Sequence, residues 1–336
     1  RMGFEDTRGT LFFEVARILR DKRPKGFILE NVEGLVTHDN GKTFRVILDT
    51  LNELHYKVSY KILNSKDFGV PQERKRIYII GTRTKKVELD NFAYSHNTIE
   101  TILEHGKQLS HTPFVNNLLN FYSAVELQGK KIKDKRGGAD NIHSWDMELK
   151  GHITSEQKEL LNSILHERRK HKWAEIYGIE WMDGMPLTVD MIRQFYDVPN
   201  LEEMLNDLVD KGYLVYENPK KVVLAESATG VVRSRERDSS LPKGYNIVAG
   251  KLSFEVSEIL DPKGYAPTLV AMDMHRIHVV DGEGIRQLTL TEGKRLFGYP
   301  DNHKLDVTMK EGYDLLGNTV VVPVIKAVAK RLLNSI

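Results

Sequence analysis

The chain has no cysteine among its 336 residues. It therefore forms no disulfide, holds no metal through thiolates and offers no thiol as a nucleophile. An excess of either charge is also lacking, because the formal net charge is only +2. A surface that binds nucleic acid has to come from local clusters of basic residues. At this length the chain is large enough for two domains with cores of their own.

Long apolar runs are absent as well. The stretch VVVPVIKAVA at 320–329 is interrupted by Pro323 and Lys326 and is too short to cross a membrane. The opening residues, RMGFEDTRG, do not have the composition of a signal peptide. We expect a cytoplasmic protein without a membrane segment.

The most informative stretch that is present is LNSKDFGVPQERKRIYIIG at 63–81. Gly69 and Pro71 predict an irregular loop, and the apolar run that follows predicts a buried strand. The side chains of Gln72, Arg74 and Arg76 alternate, which predicts that they share one face and present donors to a phosphate, a carboxylate or the carbonyl edge of a base. The alternative is a charged strand entrance that only faces solvent.

A second short apolar run, FILENV at 27–32, ends in Glu30 and Asn31. In open parallel sheets ligands bind at the carboxyl ends of strands, so Glu30 is a candidate functional acid. The alternative is a glutamate that caps the next helix.

The pattern around these runs predicts an α/β fold. Apolar residues at helical spacing predict helices over 10–20 and 42–54, and apolar runs predict strands near 26–29, 56–63 and 76–82. The order helix, strand, helix, strand, strand is typical of an α/β sheet with one hairpin-like end. Further helices are predicted over 290–297 and 320–333.

The middle of the chain has a different design. Helical patterns over 155–176, 186–196 and 200–211, followed by a ribbon around Asn218-Pro219, predict a winged-helix-like insert at 152–221. The insert has nine Lys/Arg against 13 Asp/Glu, and this excess of acid opposes DNA binding, although a basic cluster lies at 168–172. A basic run at 130–138 is either a DNA-contacting loop or a solvated one.

A basic, β-like segment follows the insert. If residues 233–237 form a strand, the alternation of Arg233, Arg235 and Arg237 places them on one face. Arginine is suited to phosphate and guanine contacts, so we expect these residues to bind DNA.

Seven blocks of this sequence, in order, resemble the conserved blocks of the DNA cytosine-C5 methyltransferases, and the restriction–modification type is the most similar. They cover residues 1–83 and 266–336 densely, and they read DTRGTLFFEVARI (6–18), ENV (30–32), HDNGKT (38–43), LNSKDFGVPQ (63–72), QERKR (72–76), RQLTLTEGKRLFGYPD (286–301) and GNTVVVPV (317–324).

The resemblance implies a fold and a division into domains. It implies the C-terminal half of a Rossmann-like methyltransferase sheet in a partial catalytic domain at 1–104. A mixed α+β target-recognition domain with the winged-helix-like insert then covers 105–288. A hinge at 289–317 and a C-terminal helix at 318–336 complete the expected division.

The sequence departs from the family in one important respect. The family's nucleophile is the cysteine of a Pro-Cys dipeptide, and neither this dipeptide nor the Gly-rich methyl-donor block is present. We therefore expect a fragment that is inactive alone and needs an N-terminal half or subunit with the cysteine. The alternative is a non-catalytic DNA-binding subunit of a split enzyme. An oxidoreductase is disfavoured, because no G-x-G-x-x-G follows a strand.

The resemblance also assigns roles to residues. In this chemistry a flipped cytosine is attacked at C6, so an acid near N3 and a donor near O2 stabilise the transition state. Glu30 matches the acid and Arg76 the O2 donor, while Arg74 and Gln72 match residues that brace the site and the DNA backbone. Thr268, in the Pro-Thr-Leu that leads out of the recognition domain, is a further DNA candidate.

The expected cofactor is S-adenosylmethionine, and the expected partner is double-stranded DNA. Leu11 matches an apolar wall of the adenosine site. Asn318, Thr319 and Val320 match the segment that closes over the methionine end.

Overall fold

The computed structural model describes residues 7–134, 138, 140–179, 184–227, 230–248 and 254–336, with the backbone alone at 7–10 and 224–233. The chain divides into two compact units. The first comprises Arg1–Lys107, Leu260–Val279 and Gln287–Ile336, and the second comprises Gln108–Ile259 and Val280–Arg286.

A three-stranded antiparallel sheet organises the first unit. Its strands are β1 (Gly26–Val32), β2 (Lys57–Asn64) and β3 (Lys75–Thr82), and they lie in the order β1-β3-β2. The hairpin-like end predicted from sequence is confirmed, because β2 and β3 pair in antiparallel register. A parallel arrangement of neighbouring strands is not found among these three, since β3 also runs antiparallel to β1.

Helices cover both faces of this sheet. Helices α1 (Thr7–Lys22) and α2 (Lys42–Glu53) confirm the two predicted near the start of the chain. Helix α2 begins after Gly41, whose φ of 82° is favourable only for glycine. One core cluster joins α2 to β3, through residues that include Phe44, Ile47, Leu51, Ile77 and Ile79.

A second core cluster lies against the same strands and contains the C-terminal helices. These are α8 (Leu290–Leu296), α9 (Met309–Gly317) and α10 (Val322–Leu333). Pro323 stands in the first turn of α10, where its missing N–H costs no hydrogen bond. Val324 and Val328 of α10 are buried with Tyr78 and Ile80 of β3.

Residues 260–279 belong to the first unit, whereas the resemblance placed them in the recognition domain. The physical reason is burial, because Ala266, Leu269 and Met274 are part of the core cluster that contains α10. The expected hinge at 289–317 likewise contributes Leu296 and Leu316 to this core.

The second unit is built from short elements. Its helices and strands, with β11 and β12 extending into the first unit, are α3 (Pro113–Phe121), β4 (Lys131–Ile132), β5 (Asn141–Ile142), α4 (Ser155–Glu167), α5 (His171–Ile176), α6 (Val189–Arg193), α7 (Leu201–Asp210), β6 (Leu214–Glu217), β7 (Lys220–Ser227), β8 (Gly230–Arg237), β9 (Gly244–Ile247), β10 (Glu258–Ile259), β11 (Ile277–Asp281) and β12 (Gly284–Gln287). The core of its helical part contains Trp145, Trp173 and Leu205.

Two details predicted for the winged-helix-like insert are wrong. The helix over 155–176 is interrupted after Glu167, because Lys170 has an extended backbone with ψ of 132°. The predicted ribbon around Asn218-Pro219 does not form, since β6 pairs with β9 and β7 pairs with β8. A tight two-residue hairpin needs positive φ at its central residues, and proline fixes φ near −65°.

No helix in the described part of the chain has both the length and the apolar character needed to cross a membrane.

Candidate active site

Glu30 and Arg76 meet on one face of the first unit's sheet. The register pairs Glu30 with Tyr78 and Val32 with Arg76, so the carboxylate and the guanidinium occupy diagonal positions on the same face. Arg76 Nε lies 3.2 Å from Glu30 Oε1. The side chains are 13% and 24% exposed respectively, so the pair is shielded and still reachable from solvent. The sequence analysis named both residues, and the structure brings them together.

Tyr78 lies beside this pair. Burial, and then the charge of Glu30, raise the pKa of its hydroxyl. Tyr78 is 2% exposed and therefore stays neutral, forming part of the apolar floor of the sheet face.

Arg74 lies close to this pair but deeper in the protein. Its side chain is buried, and its guanidinium donates to the carbonyl oxygens of Leu269 at 2.9 Å and Thr319 at 3.1 Å. The guanidinium also lies over the ring of Phe297, with 5.6 Å between Cζ and the ring centroid. Burial, and then the nearby charge of Arg76, lower the pKa of Arg74. Arg74 thus joins two distant segments of the chain to the start of β3.

Gln72 is completely buried, with 0% of its surface exposed. Its Nε2 donates to the carbonyl of Leu296 at 2.9 Å. In this position it is a core residue and does not face a surface that DNA could reach. Gln72 and Arg74 both contact Leu269, on the side of the core cluster that contains Tyr78, so what differs from the prediction is that these two side chains are buried there.

The segment Asn318–Val320 forms the turn between α9 and α10. The hydroxyl of Thr319 lies 2.6 Å from the hydroxyl of Tyr299, and its carbonyl accepts from Arg74. Asn318 is exposed and donates through Nδ2 to the carbonyl of Asp314, while Val320 is half-buried. Thr319 is therefore fixed from both sides. Tyr299 was not predicted as a site residue, although it lies in the RQLTLTEGKRLFGYPD block that resembles the family.

Gly317 allows this turn to approach the chain at 270–271. A Cβ at Gly317 would lie 2.1 Å from the backbone nitrogen of Ala271 and 2.7 Å from the carbonyl carbon of Val270. No side chain fits there without moving backbone, so glycine is required.

Leu11 is a largely exposed residue. It lies near the start of α1, and 68% of its surface is exposed. Helix α1 packs through Phe12, Val15 and Leu19 instead.

A cleft of about 430 Å³ opens beside Arg76. It is lined by Val32, Glu33, Gly34, Glu73, Lys75, Arg76 and Thr268. Thr268 is exposed and its hydroxyl donates to the carbonyl of Glu73 at 2.7 Å, which ties the segment before Leu269 to the rim of the cleft. Lys75 was not singled out from sequence, because alternation placed it on the opposite face. The lining carries two glutamates as well as Lys75 and Arg76, so the cleft is polar and suited to a ligand with both donors and acceptors.

The alternating arginines belong to the second unit, on β8. Arg235 and Arg237 are exposed. Arg237 is paired with Glu217, with Nη2 at 2.7 Å from Oε2. The side chain of Arg233 lies outside what the structure describes.

The basic cluster at 168–172 is not a free cationic surface. Arg168 is 1% exposed and donates to Asn246 Oδ1 at 2.6 Å. Lys170 and Lys172 both pair with Glu167. In the basic run at 130–138, Lys130 pairs with Asp140 and residues 135–137 lie outside the described residues.

Comparison with known proteins identifies the family. The model of the C-5 cytosine-specific DNA methylase family matches residues 1–334. The type II methyltransferase M.NlaIV of Neisseria lactamica is 57% identical over 100% of this chain and 79% of its own length. M.NgoBV of Neisseria gonorrhoeae is 55% identical with the same coverage. M.BanI of Aneurinibacillus aneurinilyticus is 39% identical over 99% of this chain and 76% of its own length.

A solved methyltransferase of Entamoeba histolytica, EhMeth, is similar over 98% of this chain and 70% of its own, at 15% identity and a TM-score of 0.41. No argument about this chain follows from a likeness so distant. The family match and the high identity over the whole chain suffice: the chain belongs to the C-5 cytosine-specific DNA methyltransferases, among the type II enzymes of restriction–modification systems.

Proposed function

We propose that this chain contributes the base-recognition side of an enzyme that transfers a methyl group to C5 of a cytosine flipped out of duplex DNA. The observation that carries the proposal is the pairing of Glu30 with Arg76, two polar groups held 3.2 Å apart on a shielded sheet face. The polar atoms along the cytosine edge occur in the order amine, N3, O2. An acid and a cationic donor side by side match that order.

Each side chain has a distinct task in this proposal. Glu30 donates a proton to N3 and accepts a hydrogen bond from the exocyclic amine, which favours cytosine over thymine. Arg76 donates to O2, where negative charge grows as C6 is attacked. Both interactions strengthen as the ring gains charge, so they accelerate the reaction rather than merely bind the base.

The methyl donor is S-adenosylmethionine, which supplies the transferred group. Thr319 suits a polar contact to its methionine end, because Arg74 and Tyr299 fix the turn that carries it. Asn318 is exposed on the same turn and Val320 is half-buried. Leu11 remains the proposed apolar wall of the adenosine site, because its side chain is exposed and is not used in the core cluster to which α1 contributes.

A nucleophile must come from outside these 336 residues, because the chain has no cysteine. We therefore propose that a segment or subunit with the family's Pro-Cys dipeptide completes the site. Arg74 braces the turn at Thr319 from within the first unit. We also propose that the completed enzyme acts in the cytoplasm, because the chromosome that a modification enzyme methylates lies there.

A second candidate is a non-catalytic, DNA-binding subunit of a split methyltransferase. The missing thiol favours it as much as it favours the completed enzyme.

The test is covalent trapping with duplex DNA that contains 5-fluorocytosine. The chain alone should form no adduct that survives a denaturing gel, since no thiolate is present to attack C6. Addition of the part of M.NlaIV that this chain does not cover should produce one, provided that this part carries the cysteine. A matched sample with that cysteine changed to serine is the control. An adduct with the chain alone would contradict the proposal.

A further inference from the structure

Strands β7 and β8 form a two-stranded ribbon. Their register contains eight pairs, from Lys220 opposite Arg237 to Ser227 opposite Gly230. Among the residues that the structure describes, no third strand joins these two.

The ribbon carries positive charge, most of it on one face. Between 220 and 237 there are five Lys/Arg and two Glu, a net charge of +3. Residues opposite each other in an antiparallel pair share a face, so Lys220, Val222, Arg235 and Arg237 occupy one side, which we call the ribbon face. The other side carries Lys221 opposite Glu236, and these charges offset each other.

A chain of polar contacts anchors the base of the ribbon. Arg168 donates to Asn246 Oδ1 at 2.6 Å, and Asn246 Nδ2 donates to Glu217 Oε1 at 3.0 Å. Glu217 then accepts from Arg237 Nε at 3.1 Å and Nη2 at 2.7 Å. Arg168 is 1% exposed, so the contacts run from the interior of the helical part to the ribbon face. Arg237 therefore sets the direction of the ribbon, while Lys220 and Arg235 are exposed on the same face.

We propose that this ribbon lies in the major groove of duplex DNA, with Arg235 at the base edges and Lys220 at a phosphate. The inference rests on the proposed function, because it takes duplex DNA as the substrate. The major groove is wide enough for a two-stranded ribbon, and arginine donates to O6 and N7 of guanine. The net charge of +3 is complementary to the phosphates, whereas the helical part at 152–221 is acidic. Glu217 and Arg237 are positioning residues that fix the angle of the ribbon.

Binding measurements test this assignment. A duplex enriched from a randomised pool by the unaltered chain is compared with the unselected pool by fluorescence anisotropy at several salt concentrations. Arg235→Ala should bind the enriched duplex between about 5-fold and about 150-fold more weakly, with little change on the unselected pool. Lys220→Ala should weaken both and reduce the salt slope by about 1. Arg169→Ala, an exposed arginine of the same unit, is the matched control and should leave both unchanged.

A modified duplex and one further variant separate base recognition by Arg235 from positioning of the ribbon by Glu217. Replacing guanine by 7-deazaguanine in the enriched duplex should weaken binding of the unaltered chain and leave Arg235→Ala unaffected. Glu217→Gln should lower the preference for the enriched duplex while keeping the salt slope, since the phosphate contact remains. A variant with a folding defect would instead change both the preference for the enriched duplex and the salt slope.

Failure of the ribbon assignment can be distinguished from failure of the proposed function. If Arg235→Ala and Arg169→Ala bind the enriched duplex equally, the ribbon assignment is overturned while DNA methylation by the completed enzyme still stands. If the chain completed with the uncovered part of M.NlaIV binds no duplex at all, both the ribbon assignment and the choice of substrate fail.

Discussion

Arg74 should determine how firmly two distant segments are held at the site. We consider Arg74→Met, which keeps much of the buried volume and removes the guanidinium. Two good hydrogen bonds disappear, to Leu269 at 2.9 Å and Thr319 at 3.1 Å, while the contact to Gly317 at 3.5 Å is marginal. A hydrogen bond from a charged group contributes about 1.5–3 kcal/mol. Arg74 Nε, however, is buried without a hydrogen-bond partner, which costs free energy in the folded state. Removing it recovers part of that desolvation cost.

The net expectation is a loss of about 3 kcal/mol in the free energy of local opening. That corresponds to amide exchange about 100-fold faster. Hydrogen exchange measured by mass spectrometry should show this acceleration in both 266–270 and 317–321. Arg83→Met, at an exposed arginine just after β3, is the control and should change neither segment. Exchange within about threefold of the unaltered chain, or acceleration in only one segment, would refute the assignment of Arg74 as the link between them.

Two other predictions follow from the first unit. Burial lowers the pKa of His278 to about 4, so this side chain is neutral when folded and takes up a proton on unfolding below its ordinary pKa of about 6.5. Its contribution to stability should be complete above pH 6.5 and fall by up to about 3 kcal/mol as the pH drops towards 4, and urea unfolding of His278→Leu should show a flatter dependence in that window. Tyr299→Phe should raise KM for S-adenosylmethionine in the completed enzyme more than it lowers kcat, because Thr319 loses the partner of its hydroxyl; an unchanged KM would show that this contact does not position the turn.

The sequence predicted the first unit's secondary structure well because its signals there are local. Apolar spacing in α1, α2 and α10 and apolar runs in the three strands reflect single elements packed against one core. The resemblance assigned Glu30 and Arg76 to one site, but their contact depends on the antiparallel pairing of β1 with β3, which the sequence did not predict. The burial of Gln72 and Arg74 had no local signal, because their partners Leu296, Leu269 and Thr319 lie 195 residues or more away in the sequence.

The second unit was less predictable because some of its strands pair with strands that lie far away in the sequence. The sequence from 213 to 224 suggested a local hairpin, yet β6 selects β9, which lies beyond the whole β7–β8 ribbon. Pro219 is incompatible with the tight turn that such a hairpin needs. The burial of Arg168 had no local signal, because its partner Asn246 is 78 residues away.

The central claim is that Glu30 and Arg76 recognise the cytosine during methyl transfer. The most direct measurement is the single-turnover rate of Glu30→Gln in the completed enzyme, compared with its DNA affinity and with Glu53→Gln, an exposed glutamate on α2. If Glu30 acts as the acid, the rate should fall by at least about 100-fold, the range expected for loss of a positioned proton donor, while DNA affinity stays within about threefold. A rate equal to that of Glu53→Gln would contradict the account.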